Sequence, residues 1–181
     1  GVSTIEELVE AIRAGRLDGL RGFGAKTAEN ILHGIEILQR SAGRVHIDVA
    51  MAAAERIVAA LSEVPGCTRC TYAGSLRRFR ETTGDVDILA ASDDPEPLME
   101  ALRTLPDTAE VIGSGSKKTS IRTSAGLQVD LRVVPADAWG AALQYFTGSK
   151  AHNVRVRTIA VRAGLKLSEY GLFDAESDAL I

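Results

Sequence analysis

Asp85 and Asp87 stand one residue apart in Gly84-Asp-Val-Asp-Ile-Leu-Ala90, a run with the composition of a strand. Successive side chains of a strand alternate faces, so the two carboxylates point one way while Val86 and Ile88 point into the opposite layer. Unpaired carboxylates held that close repel and tend to protonate. The pair therefore makes most sense with a divalent cation between them, Mg²⁺ being the usual hard-oxygen choice. Just upstream, Ala73-Gly-Ser-Leu-Arg-Arg-Phe-Arg80 reads as a strand end, a Gly-Ser turn and a basic loop. Gly74 and Ser75 offer backbone N–H groups and a hydroxyl, and Arg77, Arg78 and Arg80 bring positive charge, which together is phosphate-binding chemistry. A third acid lies in Leu127-Gln-Val-Asp-Leu-Arg-Val-Val134. There Gln128, Asp130 and Arg132 share one face and Val129, Leu131 and Val133 the other, so Asp130 can join the pair across a sheet; alone it would be a solvated outward residue.

The elements that must position these groups are legible in outline. Ser3 with Glu6 forms a capping-box pattern, and Ile5, Leu8, Val9 and Ile12 recur at helical spacing before Gly15. Leu20-Arg-Gly-Phe-Gly-Ala-Lys-Thr27 interrupts, and Ala28, Ile31, Leu32 and Ile35 resume the helical period. Two glycines one residue apart permit positive φ and leave amides at the next helix N-terminus free to meet an anion; the plainer alternative is a helical hairpin whose glycines only serve the turn. Ser41 to Arg44 is a break, after which Asp48 is expected to cap an Ala-rich helix ending at Pro65-Gly66. Pro97 to Leu105 reads as a helix. Val111 to Lys118, though glycine-rich and basic, lacks phosphate-loop spacing and reads as a strand-connecting turn. Thr119–Thr123 and Leu127–Val134 form a hairpin. Helices are expected over Trp139–Phe146 and from about Ala151 to Ala163, where Tyr145 and Phe146 could simply be packing aromatics.

Taken together, Arg-Arg-x-Arg-Glu-Thr-x-Gly-Asp-x-Asp resembles the nucleotidyltransferase signature of bacterial family X DNA polymerases, relatives of DNA polymerase beta. Leu-x-Gly-Phe-Gly-x-Lys-Thr resembles their helix-hairpin-helix, and Ala141-Ala-Leu-Gln-Tyr-Phe-Thr-Gly-Ser-Lys-Ala-His-Asn153 resembles their nucleotide-selecting segment. The resemblance covers essentially the whole chain. It implies an α+β fold: a nucleotidyltransferase palm sheet flanked by helices, with an N-terminal helix-hairpin-helix. It implies a DNA-binding fingers region at 1–44, a palm at 45–134 and an incomplete thumb at 135–181. Asp85, Asp87 and Asp130 would be the catalytic acids and ligands of two Mg²⁺ ions, with Mn²⁺ able to substitute. Gly74, Ser75, Arg78 and Gly84 would hold the nucleotide phosphates. Tyr145 and Phe146 would stack beneath the sugar, Gly148 would lie under the base, and Asn153 would reach its minor-groove edge. Gly22, Gly24, Lys26 and Thr27 would grip DNA backbone, a monovalent cation sitting on the hairpin, and Arg157 would touch the template. The implied partners are gapped or primer-template DNA and deoxynucleoside triphosphates, for a monomer that fills gaps in repair. Two departures stand out: Gln128 where the animal enzyme has an Arg orienting the third acid, and Lys150 where it has an Asp. The chain is also expected to be a piece of a longer protein, without the family's upstream lyase and downstream metallophosphoesterase domains.

Composition sets the bounds. With 181 residues, 45% hydrophobic and 25% charged, the chain has ordinary globular values. No apolar run approaches the roughly 20 residues that span a bilayer, and no signal peptide opens it, so a cytoplasmic protein with no membrane partner is expected. The net charge of −3 is low for a nucleic-acid binder, but basic residues gather in Arg77–Arg80, at Lys117 and Lys118, and along Lys150–Lys166, while acids crowd 92–100. Cys67 and Cys70 have neither the partner ligands for zinc nor the helix start of a redox pair, and read as reduced thiols. The competing functions are another nucleotidyltransferase, sharing the Gly-Ser and Asp-x-Asp core, and a non-catalytic DNA-binding module. Crowding of three acids further predicts that Asp130→Asn leaves the metal-free protein at least as stable as its parent.

Overall fold

The computed structural model describes all residues except Gly1, Ser3, Asp18, Gly19, Arg21 and Ala42, and all side chains of the remainder except 33–34 and 36–41. The chain divides into two compact units, 1–43 and 44–181. In the first, α1 (Ile5–Arg13) is capped by Thr4, whose Oγ1 accepts the Glu7 N–H at 3.2 Å. The cap thus falls one residue after the expected Ser3, which lies outside the described residues. Gly15 at φ 66° turns the chain out of α1, and the last turn is satisfied by Ala14 N–H donating to the Glu10 carbonyl and Gly15 N–H donating to that of Ile12. The helix α2 (Ala25–Ser41) starts immediately after the Gly-Phe-Gly turn. Gly22 holds φ 86°, which an L side chain would resist, and the Gly24 carbonyl accepts the N–H groups of Thr27 and Ala28 at 2.9 and 3.0 Å.

The second unit begins with β1 (Val45–His46) and α3 (Ile47–Ser62). After β2 (Arg69–Tyr72) come the one-turn helix α4 (Gly74–Arg77), β3 (Thr82–Thr83), β4 (Asp85–Ala91) and α5 (Glu96–Arg103). The strands β5 (Thr108–Ser114), β6 (Lys118–Thr123) and β7 (Gln128–Val134) complete the sheet, followed by one 3₁₀ turn, α6 (Trp139–Thr147), α7 (Lys150–Arg162) and the hairpin β8 (Leu165–Ser168) with β9 (Gly171–Asp174). Three expectations need correction. The cap of α3 is His46 rather than Asp48, because β1 pairs with the distant β3 and draws the helix start forward; Asp48 instead lies in the first turn, favourable against the helix dipole. The Gly-Ser turn is the start of α4. The first half of the glycine-rich stretch expected as a turn, 111–114, is instead strand β5, paired with β6 through two register shifts that absorb its irregular spacing, and the turn is confined to 115–117.

The five-stranded sheet has the order β2-β4-β7-β6-β5. β4 and β7 are parallel and the other neighbours antiparallel, so the sheet is mixed. Alternation along the two central strands divides the layers. Val86, Ile88, Val129, Leu131 and Val133 are 0–1% exposed and pack with Leu61 of α3 and with Leu98, Met99 and Leu102 of α5. Each fully buried side chain of this kind contributes about 1.5–3 kcal/mol. On the other face Leu89 and Val134 pack against Ala142, Trp139, Leu143 and Phe146 of α6. That helix covers the C-terminal part of the face and leaves the stretch carrying the acids open. Among the described residues no helix is long and apolar enough to cross a membrane.

Candidate active site

Strand register brings the acids together. Asp87 and Asp130 are direct partners in the parallel β4–β7 ladder, and Asp85 is opposite Gln128. Neighbouring strands run about 4.8 Å apart, so two of the three carboxylates emerge side by side and the third one pleat away on the same face. The Asp130 carboxylate is held on both oxygens: Gln128 Nε2 donates to Oδ1 at 3.0 Å and Lys118 Nζ lies 2.7 Å from Oδ2. Gln128 therefore orients the third acid where the sequence left it without an arginine.

Charge falls unevenly on this cluster. Burial, then the charges of Asp85 and Asp130, push Asp87 up to about 6 despite Lys118 and Arg78. Burial also works against ionised Asp130, but hydrogen bonds from Lys118, Gln128 and Ser120 outweigh it and hold that group below its ordinary value. The unrelieved acid is Asp87, so the strain expected at Asp130 falls on its neighbour.

The phosphate-type corner sits against Asp87. Gly74 has φ 58°, and a Cβ there would fall 1.9 Å from Asp87 Oδ2, so only glycine lets the backbone pass this close to the carboxylate. Ser75 Oγ and Thr83 Oγ1 are 2.5 Å apart, and Thr83 donates to the Asp85 carbonyl at 2.6 Å, tying α4 to the start of β4. Arg78 Nη1 donates to the Thr147 carbonyl at the end of α6, and a Cβ at Gly148 would lie 3.3 Å from that nitrogen. Arg44 belongs to this corner and sequence reasoning missed it. Its guanidinium donates to Thr82 Oγ1 and to the Thr82 carbonyl at 3.1 and 2.6 Å, with Nη1 beside Gly84. No local pattern marks it, because its place depends on the β1–β3 pairing.

Opposite, α6 and α7 supply the aromatic wall. Tyr145 and Phe146 pack edge to face with centroids 5.1 Å apart, under the guanidinium groups of Arg157 and Arg132 respectively, each 5.1 Å from its ring. Asn153 Nδ2 donates to the Tyr145 carbonyl at 2.7 Å, and Gln144 donates to Asn153 Oδ1 at 2.9 Å. The amide thus clamps the two helices while one Nδ2 hydrogen stays available. Ser149 caps α7 by accepting the His152 N–H at 3.4 Å and was not anticipated in the cleft wall.

These walls enclose a cleft of about 690 Å³. It is lined by Asp85, Asp87, Gly74, Ser75, Arg78, Gly84, Tyr145, Phe146, Gly148, Asn153 and Arg157, and also by Arg44, Arg80, Ser149 and Lys150. Asp130 lies in an adjoining recess of about 40 Å³ with Lys118 and Arg132, and Asp87 and Phe146 line both spaces. Gly22, Gly24, Lys26 and Thr27 form a separate constellation within the first unit, with Gly22, Gly24 and Lys26 exposed. Cys67 and Cys70 are free; burial raises both thiols, Cys70 to about 12, where the Cys67 charge adds to the effect, so neither is a ready thiolate.

Among the described residues, no three His, Cys, Asp or Glu side chains already converge as a finished metal cage. The donor set nonetheless suits a hard cation. It offers carboxylate oxygens on adjacent strands, one of them destabilised by burial and then by its neighbours' charge, beside a glycine whose absent side chain keeps the space open.

A mixed sheet with helices on both faces is a fold this chain shares with a polymerase beta. The crystal structure of Leishmania infantum polymerase beta in a ternary P/T complex matches with a TM-score of 0.65 and 20% identity, covering 92% of this chain and 69% of that one. Over nearly its whole length the chain is similar to DNA polymerases of family X. It is 38% identical over 179 residues to the DNA polymerase/3'-5' exonuclease PolX of Bacillus subtilis (strain 168), covering 98% of this chain and 31% of that protein. It is 30% identical over 175 residues to rat (Rattus norvegicus) DNA polymerase lambda, covering 86% of this chain and 30% of the relative. The family model for the DNA polymerase beta thumb matches residues 142–181. The chain thus spans under a third of the length of these curated relatives.

Proposed function

We propose that this chain carries the nucleotidyl-transfer centre of a template-directed DNA polymerase, adding deoxynucleotides to a primer 3′-hydroxyl, as gap filling in DNA repair requires. The observation that carries the reading is the juxtaposition of Asp87 and Asp130 on neighbouring strands beside one cleft that also presents Ser75, Arg78 and the Tyr145–Phe146 wall. Asp85, Asp87 and Asp130 are the proposed ligands of two Mg²⁺ ions, which Mn²⁺ can replace. Bound there, the metal supplies Lewis-acid stabilisation of the attacking and leaving oxygens. Arg78, Arg44, Ser75 and the backbone at Gly74 and Gly84 bind and orient a triphosphate, whose charge their donors match. Tyr145 and Phe146 pack under the sugar, Gly148 leaves room for the base, and the spare Asn153 hydrogen meets its edge. Arg157, stacked on Tyr145, lies ready for a template phosphate. Residues 1–44 form a helix-hairpin-helix fingers region, 45–134 a palm and 135–181 thumb sequence. The protein works as a cytoplasmic monomer.

The test is primer extension on a gapped duplex with Mg²⁺ or Mn²⁺. Parent protein is expected to extend and Asp130→Asn to lose about 10²- to 10³-fold, the scale seen when a preorganised charge contact to the transition state is removed. Binding without extension in the parent would leave a DNA-binding module as the reading.

DNA affinity is expected to be indifferent to sequence and to fall steeply with salt. The exposed glycine turn at residues 22–24 and the cations Lys26, Arg155 and Arg157 suit phosphates, and phosphate contacts carry no base information. Titrating duplexes of different sequence between about 50 and 200 mM salt measures this; strong preference for one duplex would sink it.

A further inference from the structure

Asp130 is engaged on both oxygens by donors from its own sheet: Gln128 at Oδ1 and Lys118 at Oδ2, 3.0 and 2.7 Å away. Lys118 opens β6, where it is paired with Arg132, while Ser120 is paired with Asp130. Its stem therefore reaches back along the ladder to set the ammonium on the carboxylate. The Asp130 side chain is 15% exposed and that of Lys118 42%. The acid is thus anchored in the recess while the cation reaches in from its rim. A Mg²⁺ ion ligated by Oδ2 would stand about 2.0–2.1 Å from that oxygen. An ammonium donating to the same oxygen brings a like charge within a few ångströms of the ion, so the two exclude each other.

We infer that Lys118 is a built-in competitor for the metal site, a tethered cation that pairs with Asp130 Oδ2 and must give way for a divalent ion to be ligated there. The inference rests on the reading of Asp85, Asp87 and Asp130 as metal ligands. Exchange needs no backbone movement, since the four-carbon stem of a half-exposed lysine can swing to solvent. Gln128 keeps its hold on Oδ1 through the exchange, so the carboxylate stays aimed. Lys118 thereby positions Asp130 and sets the threshold ion concentration at which it is recruited, without touching the reacting atoms.

Mn²⁺ binding to the chain, followed by electron paramagnetic resonance without nucleotide or DNA, separates the possibilities. Lys118→Met and the polar variant Lys118→Gln are both expected to bind Mn²⁺ about 2- to 5-fold more tightly than the parent, the scale of a partly exposed ion pair. Lys118→Arg should stay near the parent and Asp130→Asn should bind more weakly. Lys117→Met is the field control: it removes the same charge one residue away, where the ammonium lies 5.5 Å from the centre of the Tyr170 ring. Equal tightening by Lys117→Met, or unchanged or weaker binding in both neutral Lys118 variants, overturns the inference. Parent binding that depends on Asp130 but not on Lys118 removes the competitor alone. If the parent and the neutral Lys118 variants bind no better than Asp130→Asn, the ligand reading fails and the competitor with it.

Discussion

Asp87→Asn is expected to raise the stability of the metal-free protein at neutral pH by up to about 3 kcal/mol and to abolish its stabilisation by Mg²⁺. The gain follows from the upward displacement of Asp87 to about 6 from an ordinary 3.8, caused by burial and then by the charges of Asp85 and Asp130. Each pH unit of such displacement is worth about 1.4 kcal/mol. The sign follows from proton counting. Between roughly pH 4 and 6 the folded state keeps a proton on Asp87 that the unfolded chain has released, so the parent loses stability as pH rises through that window and regains it on acidification. The amide does not titrate, so its advantage should be full above about pH 6 and vanish near pH 4. Melting both proteins in chelator at pH 4 and 7.5, then at pH 7.5 with Mg²⁺, gives the comparison. An Asp87→Asn protein that melts lower than its parent at pH 7.5 would mean that the carboxylate is satisfied within the sheet. Asp130→Asn should not show the gain, since it gives up the Lys118 pair and leaves the Gln128 amide facing a neutral partner.

Gly74→Ala is expected to damage both fold and site. A methyl group there would fall 1.9 Å from Asp87 Oδ2, far inside contact distance, on a backbone already at φ 58°. Left-handed geometry alone costs an L residue about 1–2 kcal/mol, and relief of overlap in a packed setting typically adds about 1–3 kcal/mol. The local escape is for the Asp87 side chain to rotate away, which takes it from its place beside Asp130. A loss of roughly 2–5 kcal/mol in denaturant unfolding is therefore expected, together with loss of Mn²⁺ binding. Gly126, also at positive φ but with nothing within 4 Å of its Cβ position, supplies the control. Gly126→Ala should show the backbone cost and retain metal. If Gly74→Ala unfolded like Gly126→Ala and kept Mn²⁺, the close approach would not matter to the site.

Much of this protein is a local property of its sequence. The period of two in Asp85–Ala91 and Gln128–Val134 is sufficient to say that the acids share one face and that Val86, Ile88, Val129, Leu131 and Val133 face a core, because side-chain alternation is built into every extended chain. Residues 141–153 likewise announce a helix, a glycine break and a second helix. What no local pattern contains is adjacency. β5 and β6 separate β4 from β7 in sequence, yet β4 and β7 lie side by side in parallel, and a shift of one residue in that register would have put Asp130 beside Val86 or Ile88 and on the wrong face. Long-range pairing placed Lys118 on Asp130 across the β6–β7 ladder, joining Gln128 of the same strand, so that Asp87 and not Asp130 carries the electrostatic strain. It also brought Arg44 to the phosphate corner through the β1–β3 ladder and started α3 at Ile47 ahead of the residue best suited to cap it. Alternation and turn chemistry act over a few residues and can be read one segment at a time. Register, counter-charges and the shared cleft arise only when distant segments compete for the same hydrogen bonds and the same core.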